Sequence, residues 1–410
     1  MGDTMRFVNT LPWSLSLLVA LVFAPGCKKK ALPDSATPAP PVEHIGPPLT
    51  DEDYLEFGRD LEKAIASGDA AAANKLFRII DLFQRSLADL DLSDADKQGL
   101  IRGATGSKAT LAGQIVDQFK KGGKYTVLRA RTVDSKKQVI MRFISAEGAL
   151  NYHTFTLVRY PDGQIGAEDV GILVTGEVLT QTFRRLILNF AAERKVGILD
   201  RLSKTEQLYT KHITTLKQMA TDARQGRHQQ ALDAFRALPA ELQKDKLFQL
   251  VAIQAAQGLD EHTYFEELER FRFNHPDDAA IDLLAIDFYL IKKEYDKSIE
   301  SINRVDQHIG GDPYLNVLRA GTLTEAGRFQ EALASAEKAV EDDPKLEAAY
   351  WAAITTSLKA KNYPAVLAWV KKGMFAANLA VDPAAIKENR DWAGFVASPQ
   401  FEELKEWLAR

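Results

Sequence analysis

Cysteine is almost missing from this chain, with one among 410 residues, at position 27. A lone thiol builds no disulfide framework and cannot supply the thiolates of a structural zinc site. Histidine is sparse too. The seven present (His44, His153, His212, His228, His262, His275 and His308) are scattered, with no helical pair at metal-ligand spacing. No metal and no cofactor is therefore expected. There is no basic excess either: 52 Lys and Arg stand against 56 Asp and Glu, a net charge of −4. Nucleic-acid-binding domains usually carry a basic footprint, so no nucleic-acid partner is expected. Long apolar runs are lacking as well. The stretch Leu15–Ala24 is ten residues, too short to cross a bilayer.

A phosphate loop is also lacking. The segment Gly103-Ala-Thr-Gly-Ser-Lys-Ala-Thr110 has two residues between its glycines where such a loop has four, and Ser107 separates Gly106 from Lys108. It follows a helical pattern, whereas a phosphate loop follows a strand.

What is present begins with an export signal. Arg6 precedes the apolar stretch, which closes on Ala24-Pro25-Gly26-Cys27; a basic start, a short apolar core and small residues have the shape of a secretory signal over residues 1–26. A small residue followed by a lone cysteine resembles the lipobox of bacterial lipoproteins. Ala24 and Pro25 depart from it, standing where that family prefers an aliphatic and then a small residue. The resemblance implies cleavage before Cys27, diacylation of its thiol by palmitate-like chains, and acylation of the new N-terminus. Several chains anchor stably where one does not. The plainer alternative is an ordinary signal with an incidental cysteine. Lys28, Lys29 and Lys30 are placed to meet anionic head groups. Lys28 is also not the aspartate that retains such proteins in the inner membrane of enteric bacteria. The expected location is the bacterial cell envelope, lipid-anchored at the outer membrane and facing the periplasm.

Residues 31–49 hold six of the chain's sixteen prolines. Such a segment buries no core and extends, so 27–49 reads as the lipidated cysteine and a tether. At about 3.1 Å per residue it reaches up to roughly 70 Å.

Residues 50–200 read as an α+β domain. Thr50 with Asp53 starts a helix, and Tyr54, Phe57, Leu61 and Ile65 share one face of it. Leu76, Ile79, Ile80, Phe83 and Leu87 repeat the pattern, and one more helix is expected within 94–121. After Gly122-Gly123 the residues become β-branched and aromatic over 125–133, 138–144, 149–160 and 164–174, with turn residues between. Connections this short fit an antiparallel four-stranded meander, followed by a helix over 178–194. By element order alone the domain is loosely similar to cystatin-like and NTF2-like folds. It holds one polar cluster, Tyr152, His153, Arg142 and Asp169. Tyr152 and His153 are strand neighbours and point to opposite faces, so no catalytic role and no enzyme is expected.

The strongest pattern lies further on. Tyr295, Phe329 and Tyr363 are spaced by 34 residues, and Ser298, Ala332 and Val366 follow each by three. Pro276 and Pro344 stand two such periods apart. The clearest copy runs from Ala326-Gly-Arg-Phe-Gln-Glu-Ala-Leu333 through Ala336 and Ala339 to Pro344, and Gly226 to Leu232 repeats its turn. A 34-residue period of two helices resembles the tetratricopeptide (TPR) repeat. The resemblance implies an all-α solenoid over 205–378 with about five repeats, near 212–244, 245–278, 279–312, 313–346 and 347–378. Residues 379–410, with Trp392, Phe395, Phe401, Leu404, Trp407 and Leu408, are expected to form capping helices.

That family holds protein partners on the concave side, lined by the first helix of each repeat. The corresponding positions are Leu283, Asp287, Leu290 and Ile291, then Tyr314, Val317 and Glu325, then Trp351, Leu358 and Lys359. The lysines, arginines and asparagines with which the chaperone-binding branch grips a C-terminal carboxylate are absent. Expected partners are a protein through the concave face and a membrane through acylated Cys27. The function expected is a membrane-anchored interaction scaffold. The alternative is a ligand-binding or catalytic sheet domain with the repeats as support, which two convergent ionisable groups in 120–175 would favour.

Overall fold

The computed structural model describes residues 46–88, 90, 93–105, 111–133, 136–146, 148–193, 203–276 and 278–409. The signal, Cys27, the lysine run, nearly all of the tether and residues 106–110 of the glycine motif lie outside the described residues. The chain divides into two compact units, one ending at Ile281 and one continuing from Asp282.

In the first unit, Thr50 and Asp53 close a reciprocal capping box on α1 (Asp51–Ala66), which buries Tyr54, Phe57, Leu61 and Ile65. Gly58 faces the sheet. A Cβ there would lie 2.4 Å from the Val127 side chain, so glycine lets the helix approach closely. The next pattern is two helices, α2 (Ala70–Phe77) and α3 (Ile79–Arg85), broken at Arg78, whose φ is 50°. That left-handed residue shifts the helical phase. The buried face is therefore Ala73, Phe77, Leu82, Phe83 and Leu87, while Ile80 is exposed. Within 94–121, where one helix is expected, the described helices are α4 (Asp94–Thr105) and α5 (Leu111–Lys120).

The four long strands, β1 (Lys124–Val133), β2 (Lys136–Ile144), β3 (Leu150–Arg159) and β4 (Ile165–Ile172), pair in sequence order and antiparallel. A two-residue β5 (Glu177–Val178) makes the sheet five-stranded, one more than the expected meander. It is reached through a single 3₁₀ turn and left-handed Gly176. Phe57 and Phe77 pack on Phe155 with centroids 5.4 and 5.2 Å away, joining α1 and α2 to the sheet. Helix α6 (Leu179–Glu193) follows, and its Phe183 stacks on Phe83 at 4.1 Å.

Helices α7 (Lys204–Arg224), α8 (His228–Arg236), α9 (Lys246–Gln257) and α10 (Glu261–Asn274) complete this unit. The first three share a core of Tyr209, Ile213, Leu216, Phe235 and Phe248. They meet the sheet region through charge. Arg185 donates to Glu177 at 2.6 Å, lies 3.9 Å from Asp245, and stands over the Tyr209 ring. Lys246 donates to the Gly176 carbonyl at 3.2 Å and pairs with Asp278.

The second unit contains most of α11 (Ala279–Ile291), then α12 (Tyr295–Ile309), α13 (Pro313–Glu325), α14 (Phe329–Asp342), α15 (Glu347–Lys359) and α16 (Tyr363–Ala377). These are helix pairs with a solenoid-like order. Ser298, Ala332 and Val366 are all completely buried, and Ser298 donates its hydroxyl to the Ile286 carbonyl at 2.9 Å. Small or compact side chains recur there because each second helix lies close against its first. The hairpin turns recur too. Lys293, Gly327 and Lys361 all have φ between 57° and 74°. In each case the next amide donates to a carbonyl five residues back, at 2.9 Å (Glu294 to Tyr289, Arg328 to Leu323, Asn362 to Ser357). This is the left-handed helix stop. Beyond α16, Trp392, Phe395, Phe401 and Leu404 are buried; Phe395 touches Tyr363, Trp392 and Phe401 with centroids 5.7 to 6.2 Å apart.

Candidate functional site

Helices that repeat every 34 residues carry rows of equivalent positions. Along α11, α13 and α15 the first row is Leu283, Val317 and Trp351, and the second is Asp287, Gly321 and Thr355. The third is Leu290, Thr324 and Leu358, and the fourth is Ile291, Glu325 and Lys359.

Leu283, Val317 and Tyr314 are buried, so these three pack inside the protein. Trp351 is half-buried. Its ring stands edge-on to Trp392 at 6.4 Å, and its Nε1 reaches Glu347 at 3.5 Å. Leu290, Ile291 and Leu358 are half-buried, while Glu325 and Lys359 are exposed and 3.8 Å apart. An ion pair so exposed contributes little. Thr324 and Thr356 are buried and share a 2.8 Å hydrogen bond between hydroxyls, which ties α13 to α15.

Asp287 differs from these. It is half-buried, and burial alone pushes its carboxyl up to about 7. At the equivalent place one repeat on, a Cβ added to Gly321 would meet nothing within 4 Å. The row is open there. Gly321 and Thr355 were missed among the sequence candidates, although adding 34 to Asp287 finds both.

Two exposed phenylalanines were also missed. Phe273 and Phe375 are 85% and 88% exposed and stand three 34-residue periods apart. Near Phe375, a shallow hollow of about 680 Å³ lies between α14 and α16, lined by Tyr350, Trp369, Lys372, Pro344 and Ala376. Its lysines are engaged, Lys338 with Asp342 and Lys372 over the Trp369 ring.

In the sheet region, the four residues of the polar cluster are not all brought together. His153 is buried, with Nδ1 3.0 Å from the Tyr125 hydroxyl and its ring on Phe143. Burial lowers it to about 3, so it stays neutral at ordinary pH. Tyr152 pairs with Arg142 across the strands, on the opposite face. Asp169 accepts from the Thr180 and Val170 amides at 3.2 and 2.8 Å, covering the start of α6; its carboxyl is raised chiefly by burial. Among the described residues no group of three or more His, Cys, Asp or Glu could hold a metal ion. No described helix is long and apolar enough to cross a membrane.

No protein-family model matches the chain, and no curated protein matches it. Among solved structures it is similar to MamA MSR-1, at 18% identity and a TM-score of 0.34, over 41% of this chain and 97% of that one. It is similar also to MamA AMB-1, at 19% identity and a TM-score of 0.34, over 43% and 97%. Likenesses this loose carry no argument about function.

Proposed function

We propose that the protein is a protein–protein interaction scaffold held at the bacterial cell envelope by an acylated Cys27, with its helix pairs presenting the first-helix rows to a partner. The observation that carries this reading is the second row. A half-buried carboxyl, Asp287, and an open position, Gly321, stand one 34-residue period apart on consecutive first helices. A surface built for self-packing would fill that position. Tandem helix pairs offer an extended face that can receive a helix or an extended segment. The lipobox resemblance and the Pro-rich segment supply the tether to the membrane.

A photo-reactive residue at Thr355, on the proposed face, should crosslink one partner in intact membranes. The same residue at Ala368, exposed on α16, should not. Identical adducts from both positions, or none from Thr355, would remove the face from consideration.

A further inference from the structure

Three charged residues occupy the aligned rows. Glu325 and Lys359 pair with each other at 3.8 Å. Asp287 has no ion pair and no hydrogen bond among the described residues, and its neighbours on the helix, Ile286 and Phe288, are buried and apolar. A carboxylate that is half-withdrawn from water with no counter-ion is costly. It becomes favourable once a cation meets it in the same surroundings, where charge-assisted hydrogen bonds are strong. The equivalent position in the next repeat is bare, with nothing within 4 Å of where a Gly321 side chain would begin. The one after that carries a half-buried hydroxyl, Thr355. The row thus reads as an acid, a gap and a hydrogen-bonding group, flanked by the apolar side chains of Leu290, Ile291 and Leu358.

We propose that this row is a subsite for a lysine or arginine of an extended partner segment, the cationic end meeting Asp287 while the segment's backbone lies over Gly321. This rests on the scaffold reading above and gives that partner its chemistry. Charge complementarity selects the cation. A partner's carboxylate would meet Asp287 as a like charge, and Lys359, the lysine of the four aligned rows, is already engaged by Glu325. The gap at Gly321 selects an extended backbone, because it removes the side chain that would hold a main chain away from the helix.

A random heptapeptide phage library panned against the mature chain in detergent micelles tests both levels. The selected peptides should share a lysine or arginine at one fixed position. Asp287→Asn, nearly isosteric and checked for unchanged helical signal, should weaken the best peptide about tenfold, as the loss of one charge-assisted contact does. Exchanging the peptide's basic residue for methionine should weaken binding to the parent protein about tenfold, and binding to Asp287→Asn hardly at all. Gly321→Leu, with room for its side chain, should abolish binding while the protein stays folded. Peptides that Gly321→Leu blocks but that share no basic position, or that bind Asp287→Asn as tightly as the parent, would overturn the cation subsite and leave the face standing. Peptides indifferent to Gly321→Leu, or no selected peptides at all, would overturn both.

Discussion

Asp287 shows at the scale of one residue what the repeat pattern conceals. Its carboxyl is raised from 3.8 to about 7 by burial, whereas in the unfolded chain it titrates at its ordinary value. From about pH 4 to about pH 7 the folded protein therefore keeps a proton that the unfolded chain has released. Stability falls as pH rises through that window and levels off above it. Asp287→Asn cannot ionise, so the variant should gain on the parent steadily from pH 4 to 7 and hold a constant advantage beyond. Urea midpoints of the two proteins at pH 4.5, 6 and 8 measure it; a gap that does not widen would mean the carboxyl is solvated. The residue type and its place in the row were legible in the sequence. Its missing counter-ion was not, because whether a cation reaches an aspartate depends on rotamers and neighbours that no period encodes. His153 teaches the same lesson. Alternation placed it on the face opposite Tyr152, but only the fold brings Tyr125, 28 residues earlier, to 3.0 Å from its ring nitrogen.

At the scale of elements, the turns between paired helices use one geometry with unequal residues. Lys293 and Lys361 hold the left-handed conformation that Gly327 holds in the copy between them. A side chain there costs about 1–2 kcal/mol, offset in part by the larger entropy that glycine loses on folding. Lys361 is exposed, so Lys361→Gly sacrifices no packing and should raise unfolding stability by about 0.5–1 kcal/mol. Gly327→Ala should lower it by a similar amount. Chemical denaturation of both variants decides the matter, and a loss of stability in Lys361→Gly would mean that Lys361 makes a compensating contact. The period itself was readable because packing enforces it. Tyr295, Phe329 and Tyr363 begin second helices, and the residues three further on are wholly buried. Strands β1–β4 were readable for a similar reason, since alternation and turn residues both marked them. The break at Arg78 was not, because an arginine in the left-handed region has no signature in composition. The two-residue β5 was too short for any alternation to show.

At the scale of the whole molecule, the sheet region and the first helices of the array are joined by long-range charge. Arg185 reaches both Glu177 and Asp245, 60 residues downstream, a pairing that linear spacing cannot reveal. The proposed signal and tether are the reverse case, argued from the sequence alone, and the proposed location of the scaffold rests on them. One fatty chain gives marginal, reversible membrane binding, whereas the modification implied at Cys27 supplies several. The mature protein should therefore begin at Cys27 and carry acyl mass on its first residue, and it should partition into the detergent phase of Triton X-114. Cys27→Ser removes the only thiol in the chain, so no second cysteine can take its place. That variant should keep residues 1–26 or be cut elsewhere, and its first residue should carry no lipid. Mass spectrometry of the N-terminal peptide reads this directly, and it separates a true anchor from an uncleaved signal that merely holds the chain to membranes. An unmodified N-terminus in the parent protein would mean that Cys27 is incidental. The protein would then be released, and a tether of up to roughly 70 Å would have nothing to hold.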